Sequence, residues 1–281
     1  MRLPPRLLRC AAVWLSALAA LASSLPACAA KTYTFAVVPQ FEQHKLFGIW
    51  LPIIDELERR TGLRFKLIAS LRTVPETERQ LSAGAFDFVY ANPYQIMREG
   101  GRQGYIPLVR DSVPVRGILV VRKDSPIKSL AELDGKPLAV PSLNAIGASL
   151  LLRADLSRLY HVKLVPLNVK THSSVYLHVV NGLTPAGGGV EKTLQQQDKA
   201  VRDALKVLYT TREIPSHPIA AHPRVPAKDR EKVRQAFLDM NGTKGGRELL
   251  SKIPMKQAVP ASLEDYLPMR AWGLESYWVE E

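Results

Sequence analysis

Short apolar runs rich in β-branched residues alternate along this chain with segments whose apolar positions recur every three or four residues. The first run, Tyr33 to Val38, reads as a strand that Pro39 closes. Leu46, Ile49, Ile53, Ile54 and Leu57 then follow helical spacing as far as Thr61-Gly62, a helix stop. Pro52 falls inside this pattern, so the helix either kinks there or its regular part starts at Leu51. Further strands are predicted over Phe65 to Ala69, Phe86 to Tyr90, Ile106 to Arg110 and Ile118 to Arg122. Leu138 to Val140, Lys163 to Leu167, Lys206 to Thr210 and Ile219 to Ala221 complete the set. Between them fall a helix from Glu76 to Ala83, with Pro75 near its first turn and Gly84 after its end, and a short one from Tyr94 to Arg98. Ser129 to Leu133 makes one helical turn, and Val175 to Val180 forms a helix capped by Ser173 or Ser174. Lys228 to Met240 is amphipathic on Val233, Phe237 and Met240, and the tail from Gly246 to Trp278 reads as helical with loops. Strands alternating with helices throughout predict an α/β class with mostly parallel sheets.

The stretch from Pro137 to Arg153 organises the rest. It reads as a strand, a polar loop over Pro141 to Asn144, and a helix that starts near Ala145. A helix start carries unpartnered N–H groups and a partial positive charge, so a start held at the carboxyl end of a strand is an anion site in waiting. Most such crossovers bind nothing, and the stretch gains weight only from its surroundings. Other loops at carboxyl ends of strands are Gln40-Phe41, Tyr90 to Tyr94, Thr171 to Ser174 and Gly187 to Glu191, and ligands of open α/β sheets bind at such ends. Phe41, Tyr90 and Tyr94 can wall a pocket there, although aromatics this near to strands are more often core. The Gly187-Gly188-Gly189 triplet follows a short strand and reads as close backbone approach in a cleft.

The N-terminus changes the picture most. Arg2, Arg6 and Arg9 form a basic region, Ala11 to Ala22 an apolar one, and Ser23 to Ala30 a small-residue cleavage region. Residues 1–30 are read as an export signal too short to anchor in a bilayer. Two cleavage readings stay open. Leu25-Pro26-Ala27-Cys28 resembles a lipobox that would lipidate Cys28, whereas Ala27-Cys28-Ala29 would release a soluble protein. The only cysteines, Cys10 and Cys28, both lie here, so the exported body has no disulfide, thiol nucleophile or cysteine metal site.

Of the 281 residues 46% are apolar, enough for a large core. The formal charge of +12 falls to +9 once the three signal arginines are set aside, a balance that favours small anions. Basic residues are interleaved with acids and form no run, so no nucleic-acid partner is expected. His172 and His178 are six positions apart, wrong for one helix face, and H-E-x-x-H is absent, so no metal site is expected. No P-loop, G-x-G-x-x-G or G-x-S-x-G occurs, so neither a cofactor nor an enzyme activity is expected. His172 ends a strand-to-helix loop, where a ring N–H can donate to an anion.

Several segments together carry a resemblance: Phe35-Ala-Val-Val-Pro-Gln40, Phe86 to Tyr94 (FDFVYANPY), Gly117 to Leu133, Thr171 to Tyr176 (THSSVY), Ala186-Gly-Gly-Gly-Val190 and His217 to Pro226. In their order and spacing the chain resembles the phosphate/phosphite/phosphonate family of periplasmic ABC-transporter binding proteins. The resemblance implies a type 2 periplasmic-binding-protein fold, two α/β lobes joined by two crossing hinge strands. Lobe one would comprise residues 31–116 plus 217–281, and lobe two residues 117–216. It also implies a periplasmic protein, soluble or lipid-anchored and monomeric, that captures a small oxyanion between its lobes. The oxyanion would pass to an ABC permease.

The ligand contacts implied are Gln40, Phe41, Tyr90, Asn92 and Tyr94 from one lobe. From the other come Ser142, Asn144, Ala145, Ile146, His172, Ser173 and Glu191. The family's hydroxyl run at the helix start is replaced here by Ala145-Ile146-Gly147, and its acid before Ala-Gly-Gly-Gly by Pro185. Both departures weaken tight phosphonate binding. A sensory domain that presents its ligand to a membrane receptor is the alternative reading, and an enzyme using His172 with Glu191 as acid and base comes last.

Overall fold

The computed structural model describes residues 31–69, 73–253 and 255–280. The expected export signal and the lipidation position Cys28 lie outside these residues. No helix among the described residues is long and apolar enough to cross a membrane.

Strands β1 (Thr32–Val37), β2 (Arg64–Ile68), β3 (Phe88–Tyr90) and β4 (Ile106–Asp111) open the chain. They are followed by β5 (Val115–Arg122), β6 (Pro137–Val140), β7 (Val165–Asn168), β8 (Ala186–Val190) and β9 (Leu205–Ile214). Strands β10 (Ile219–Ala221) and β11 (Ala258–Pro260) close it. They form two sheets, β11-β4-β10-β3-β1-β2 and β7-β6-β8-β5-β9, which is the two-lobed α/β architecture. The chain passes from the first sheet to the second between Asp111 and Val115 and returns between Ile214 and Ile219. Both sheets are mixed but mostly parallel in strand direction, as expected: β1, β2, β3 and β4 run one way against β10 and β11, and β6, β7, β8 and β9 run one way against β5. β1 pairs in parallel with β2 and β3, and β6 with β7 and β8, but β10 and β5 run antiparallel to both their neighbours. The outgoing and returning strands of a double crossing run opposite ways and are neighbours in each sheet, β4 beside β10 and β5 beside β9.

Helix α1 (Gln43–Thr61) runs unbroken through Pro52 and ends at Gly62, whose φ of 68° is the left-handed cap. It buries Leu46, Trp50, Ile53, Ile54 and Leu57 against the first sheet. Helix α2 (Val74–Ser82) is capped by Thr73, and α3 (Pro93–Gly100) by Asn92, whose Oδ1 accepts from Tyr94 N at 3.0 Å. A π-helical turn (Ile146–Leu150) leads into α4 (Leu151–Tyr160). Helix α5 (His172–Val180) is capped by Thr171 rather than Ser173 or Ser174: Thr171 is the extended residue, and Ser174 supplies the N–H it accepts at 3.1 Å. Then come α6 (Glu191–Gln195), α7 (Lys199–Asp203), α8 (Ala227–Met240) and α9 (Lys244–Lys252).

The tail holds β11 and three 3₁₀ turns instead of regular helix beyond α9. Its Tyr266, Met269 and Leu274 are buried with Tyr94 and Met97 of α3 and with Ile146 and Leu150 of the π turn. The C-terminal segment therefore touches elements attached to both sheets.

Candidate functional site

The turn after β6 is wound more widely than an α-helix. Leu150 N and Ser149 N both donate to Ala145 O, at 3.0 and 2.9 Å. The N–H groups of Ile146, Gly147 and Ala148 precede any acceptor within the turn, so they are its unpartnered donors. π turns of this kind recur at functional sites. The sequence pays locally for this geometry with glycines on the sheet beneath. A Cβ on Gly117 would sit 2.1 Å from Gly147 O, and one on Gly188 would sit 1.8 Å from Ala148 O. The glycine triplet lies within β8, not after it, and what approaches it closely is the backbone of the π turn at Gly188 and the side chains of Val175, Tyr176 and Val179 of α5 at Gly187 and Gly189.

Ile146, Gly147 and Ala148 line a cavity of about 40 Å³ between the sheets, together with Gln40, His172 and His217. That volume exceeds the ~10–15 Å³ one water requires. Three hydrogen bonds cross the interface around it. Asn92 Nδ2 donates to Asn144 O at 3.0 Å, Asn144 Nδ2 to Glu78 Oε2 at 3.0 Å, and His172 N to Gln40 O at 3.3 Å. A second cavity of about 20 Å³ shares Gln40, Val190 and His217 with the first and adds Tyr90, Thr193 and the ion-paired Lys192 and Asp111.

Burial holds His172 down to about 4, and burial together with His172 and Lys192 holds His217 down to about 3. Both rings are neutral near pH 7. The site therefore offers an anion backbone dipoles and neutral rings, and its one adjoining ammonium, Lys192, is already matched by Asp111.

Of the residues expected at a ligand, Gln40, Asn92, Ala145, Ile146 and His172 line the first cavity, and Tyr90 with Gln40 the second. The others lie elsewhere. Phe41 is packed in the core under α1, with Lys45 over its ring. Tyr94 is fully buried, and its hydroxyl donates to Glu275 at 2.6 Å. Ser142 caps Asn144 N at 3.1 Å, and the Asn144 side chain is consumed by Glu78 and by Val279 of the C-terminal segment. Ser173 lines neither cavity, nor does Glu191, and no hydrogen bond joins Glu191 to His172 among the described residues. His217 was not singled out from sequence. Its signal was position, just ahead of the returning strand β10.

The family model for the periplasmic substrate-binding protein of phosphonate ABC transporters matches residues 35–266. The chain belongs to this family. Among solved structures the fold is shared with the binding-protein component of an ABC phosphonate transporter from Pseudomonas aeruginosa, at a TM-score of 0.77, 15% identity and coverage of 86% of this chain and 85% of that one. PhnD1 from Prochlorococcus marinus, solved with methylphosphonate, gives 0.80 and 15%, covering 89% and 99%. XAC2383 from Xanthomonas citri, bound to chloride, gives 0.65 and 16%, covering 88% and 98%. No curated protein sequence matches this one significantly. As a phosphonate-family substrate-binding protein, the chain has a solute-binding role on the periplasmic side.

Proposed function

We propose that the protein captures a small phosphorus oxyanion (a phosphonate, phosphite or phosphate) in the cavity beside the π turn and hands it to an ABC permease. The observation that carries this reading is that Ile146, Gly147 and Ala148, whose N–H groups precede any acceptor within the π turn, line an inter-sheet cavity. Each hydrogen bond to a charged acceptor contributes roughly 1.5–3 kcal/mol. With no hydroxyl at positions 145–147, the site has fewer donors than a Ser-Thr-Ser start would provide, and the trap is correspondingly weaker. In this reading the lobes are residues 31–116 with 217–281, and 117–216. The bonds from Asn92, Asn144 and His172 across the interface then describe the closed state, which ligand favours by contacting both lobes.

The test is isothermal titration of the purified protein with methylphosphonate, 2-aminoethylphosphonate, phosphite, phosphate and sulfate. Saturable binding of one phosphorus oxyanion, abolished in His172→Ala, is the expected result. Heat from none of them would leave the fold and remove the cargo.

A further inference from the structure

Four buried polar groups behind the cavity form a closed hydrogen-bond problem. Tyr176 Oη lies 2.7 Å from Thr193 Oγ1 and 3.1 Å from Val190 O, and Thr193 Oγ1 lies 3.0 Å from Val190 O. Thr193 Oγ1 is also 3.3 Å from His172 Nδ1. Tyr176, Thr193 and His172 are 0%, 1% and 6% exposed, so bulk solvent does not reach the set. Two hydroxyl protons serve this triangle of oxygens. If Thr193 spends its proton on His172, the triangle keeps only one hydrogen bond, and the total is two. If His172 Nδ1–H donates to Thr193 instead, both hydroxyl protons stay in the triangle and the total is three. Buried polar groups settle on the arrangement with more bonds. Nδ1 then carries the proton of the neutral ring, and Nε2, which has no hydrogen-bond partner among the described residues, is a bare lone pair on a ring that lines the cavity.

We infer that Thr193 is a positioning residue that fixes His172 as a hydrogen-bond acceptor, so that the site selects an oxyanion still carrying one O–H over its fully ionised form. The inference rests on the proposed oxyanion reading for its ligand but not for its tautomer. It reverses the expectation that a His172 ring N–H donates to the anion. A dianion would set lone pair against lone pair at Nε2, whereas a monoanion gives its proton to Nε2 and keeps its other oxygens for the N–H groups of the π turn. The groups facing the ring are uncharged near neutrality: Tyr176 on α5, Thr193 on α6, Gln40 after β1 and His217 ahead of β10. Lys192 and Asp111 of the adjoining cavity are paired with each other.

The first readout is the ring-nitrogen NMR shifts of His172 in the ligand-free protein, which report the tautomer whether or not any oxyanion binds. A protonated Nδ1 and bare Nε2 are expected, and a protonated Nε2 would overturn the inference. The second is titration with methylphosphonate and sulfate as a function of pH. Methylphosphonate affinity should fall about tenfold per pH unit above the ligand's second pKa, with sulfate, which has no proton to give, binding far more weakly. Thr193→Val frees the ring, so that dependence should flatten and sulfate should gain on methylphosphonate. Thr193→Ser should restore the original profile. Tyr176→Phe should leave the profile in place, because Thr193 still donates to Val190 O and still accepts from Nδ1. A uniform loss of affinity in Thr193→Val with the pH profile unchanged would assign Thr193 a packing role and refute the inference. If no oxyanion binds at all, the proposed function fails, and the NMR readout still decides the tautomer.

Discussion

Replacing Asn144 by alanine tests whether this residue serves ligand or fold. Its side chain is fully buried, donates to Val279 O at 2.7 Å and to Glu78 Oε2 at 3.0 Å, and accepts from Val279 N at 3.0 Å. The two neutral bonds contribute about 1 kcal/mol each and the one to the carboxylate roughly 1.5–3. Val279 is only half-buried, so water recovers part of the loss, and about 3 kcal/mol remains. For a chain of this size each kcal/mol moves the melting temperature by roughly 2–4 °C, so Asn144→Ala should melt about 6–12 °C lower. The assay is differential scanning calorimetry without ligand. Asn144→Asp should fare worse, because it deletes the N–H donors and sets a carboxylate against Glu78. A ligand-free melting temperature within about 2 °C of wild type, combined with lost binding, would refute this reasoning and return Asn144 to the ligand.

Gly188→Ala should destabilise by ~3 kcal/mol or more, because its Cβ meets the Ala148 carbonyl. Gly48→Ala, with nothing within 4 Å of the new Cβ inside α1, should stabilise by about 0.5–1 kcal/mol; urea unfolding of both variants checks the contrast. Stability should fall as pH drops from about 6.5 toward 4. Across that window the unfolded chain protonates its histidines while His172 and His217, held at about 4 and about 3, stay neutral, so the unfolded state binds more protons. A urea-midpoint series should show this decline, flattened in the His172→Gln/His217→Gln variant. Ala145→Ser with Ile146→Thr should tighten phosphonate binding at least tenfold by titration, whereas Gly147 tolerates no side chain easily, since its Cβ would lie 3.0 Å from Val190 Cγ1.

The alternation of strands and helices was legible where strands hold apolar runs and helices carry a cap, a stop or a stripe: Gly62 after α1, Asn92 before α3, the amphipathic face of α8; the short α6 and α7, without side-chain caps, were not legible. Of the two readings of Pro52, a helix whose regular part starts at Leu51 is overturned, since α1 starts at Gln43; burial of Trp50 and Ile53 on either side of the proline outweighs the one bond it removes. β11 escaped notice, being three residues that end in proline and pair only through β4. The cavity was half legible. Gln40, Asn92, Ala145, Ile146 and His172 sit at strand ends, where local pattern points to them. Phe41 and Tyr94 look the same in sequence but face the core, and Asn144 is claimed by Val279, 135 residues away. Thr193, inside a short helix, has no local signal at all; only the contact with His172 brings it forward.

The central claim, an oxyanion held by the start of the π turn, is tested most directly by following the backbone amide resonances of Ile146, Gly147 and Ala148 during titration with methylphosphonate. The account predicts that all three amides shift downfield together, with the same dissociation constant that calorimetry gives. Saturable binding that leaves these three resonances unmoved would contradict it and place the ligand elsewhere.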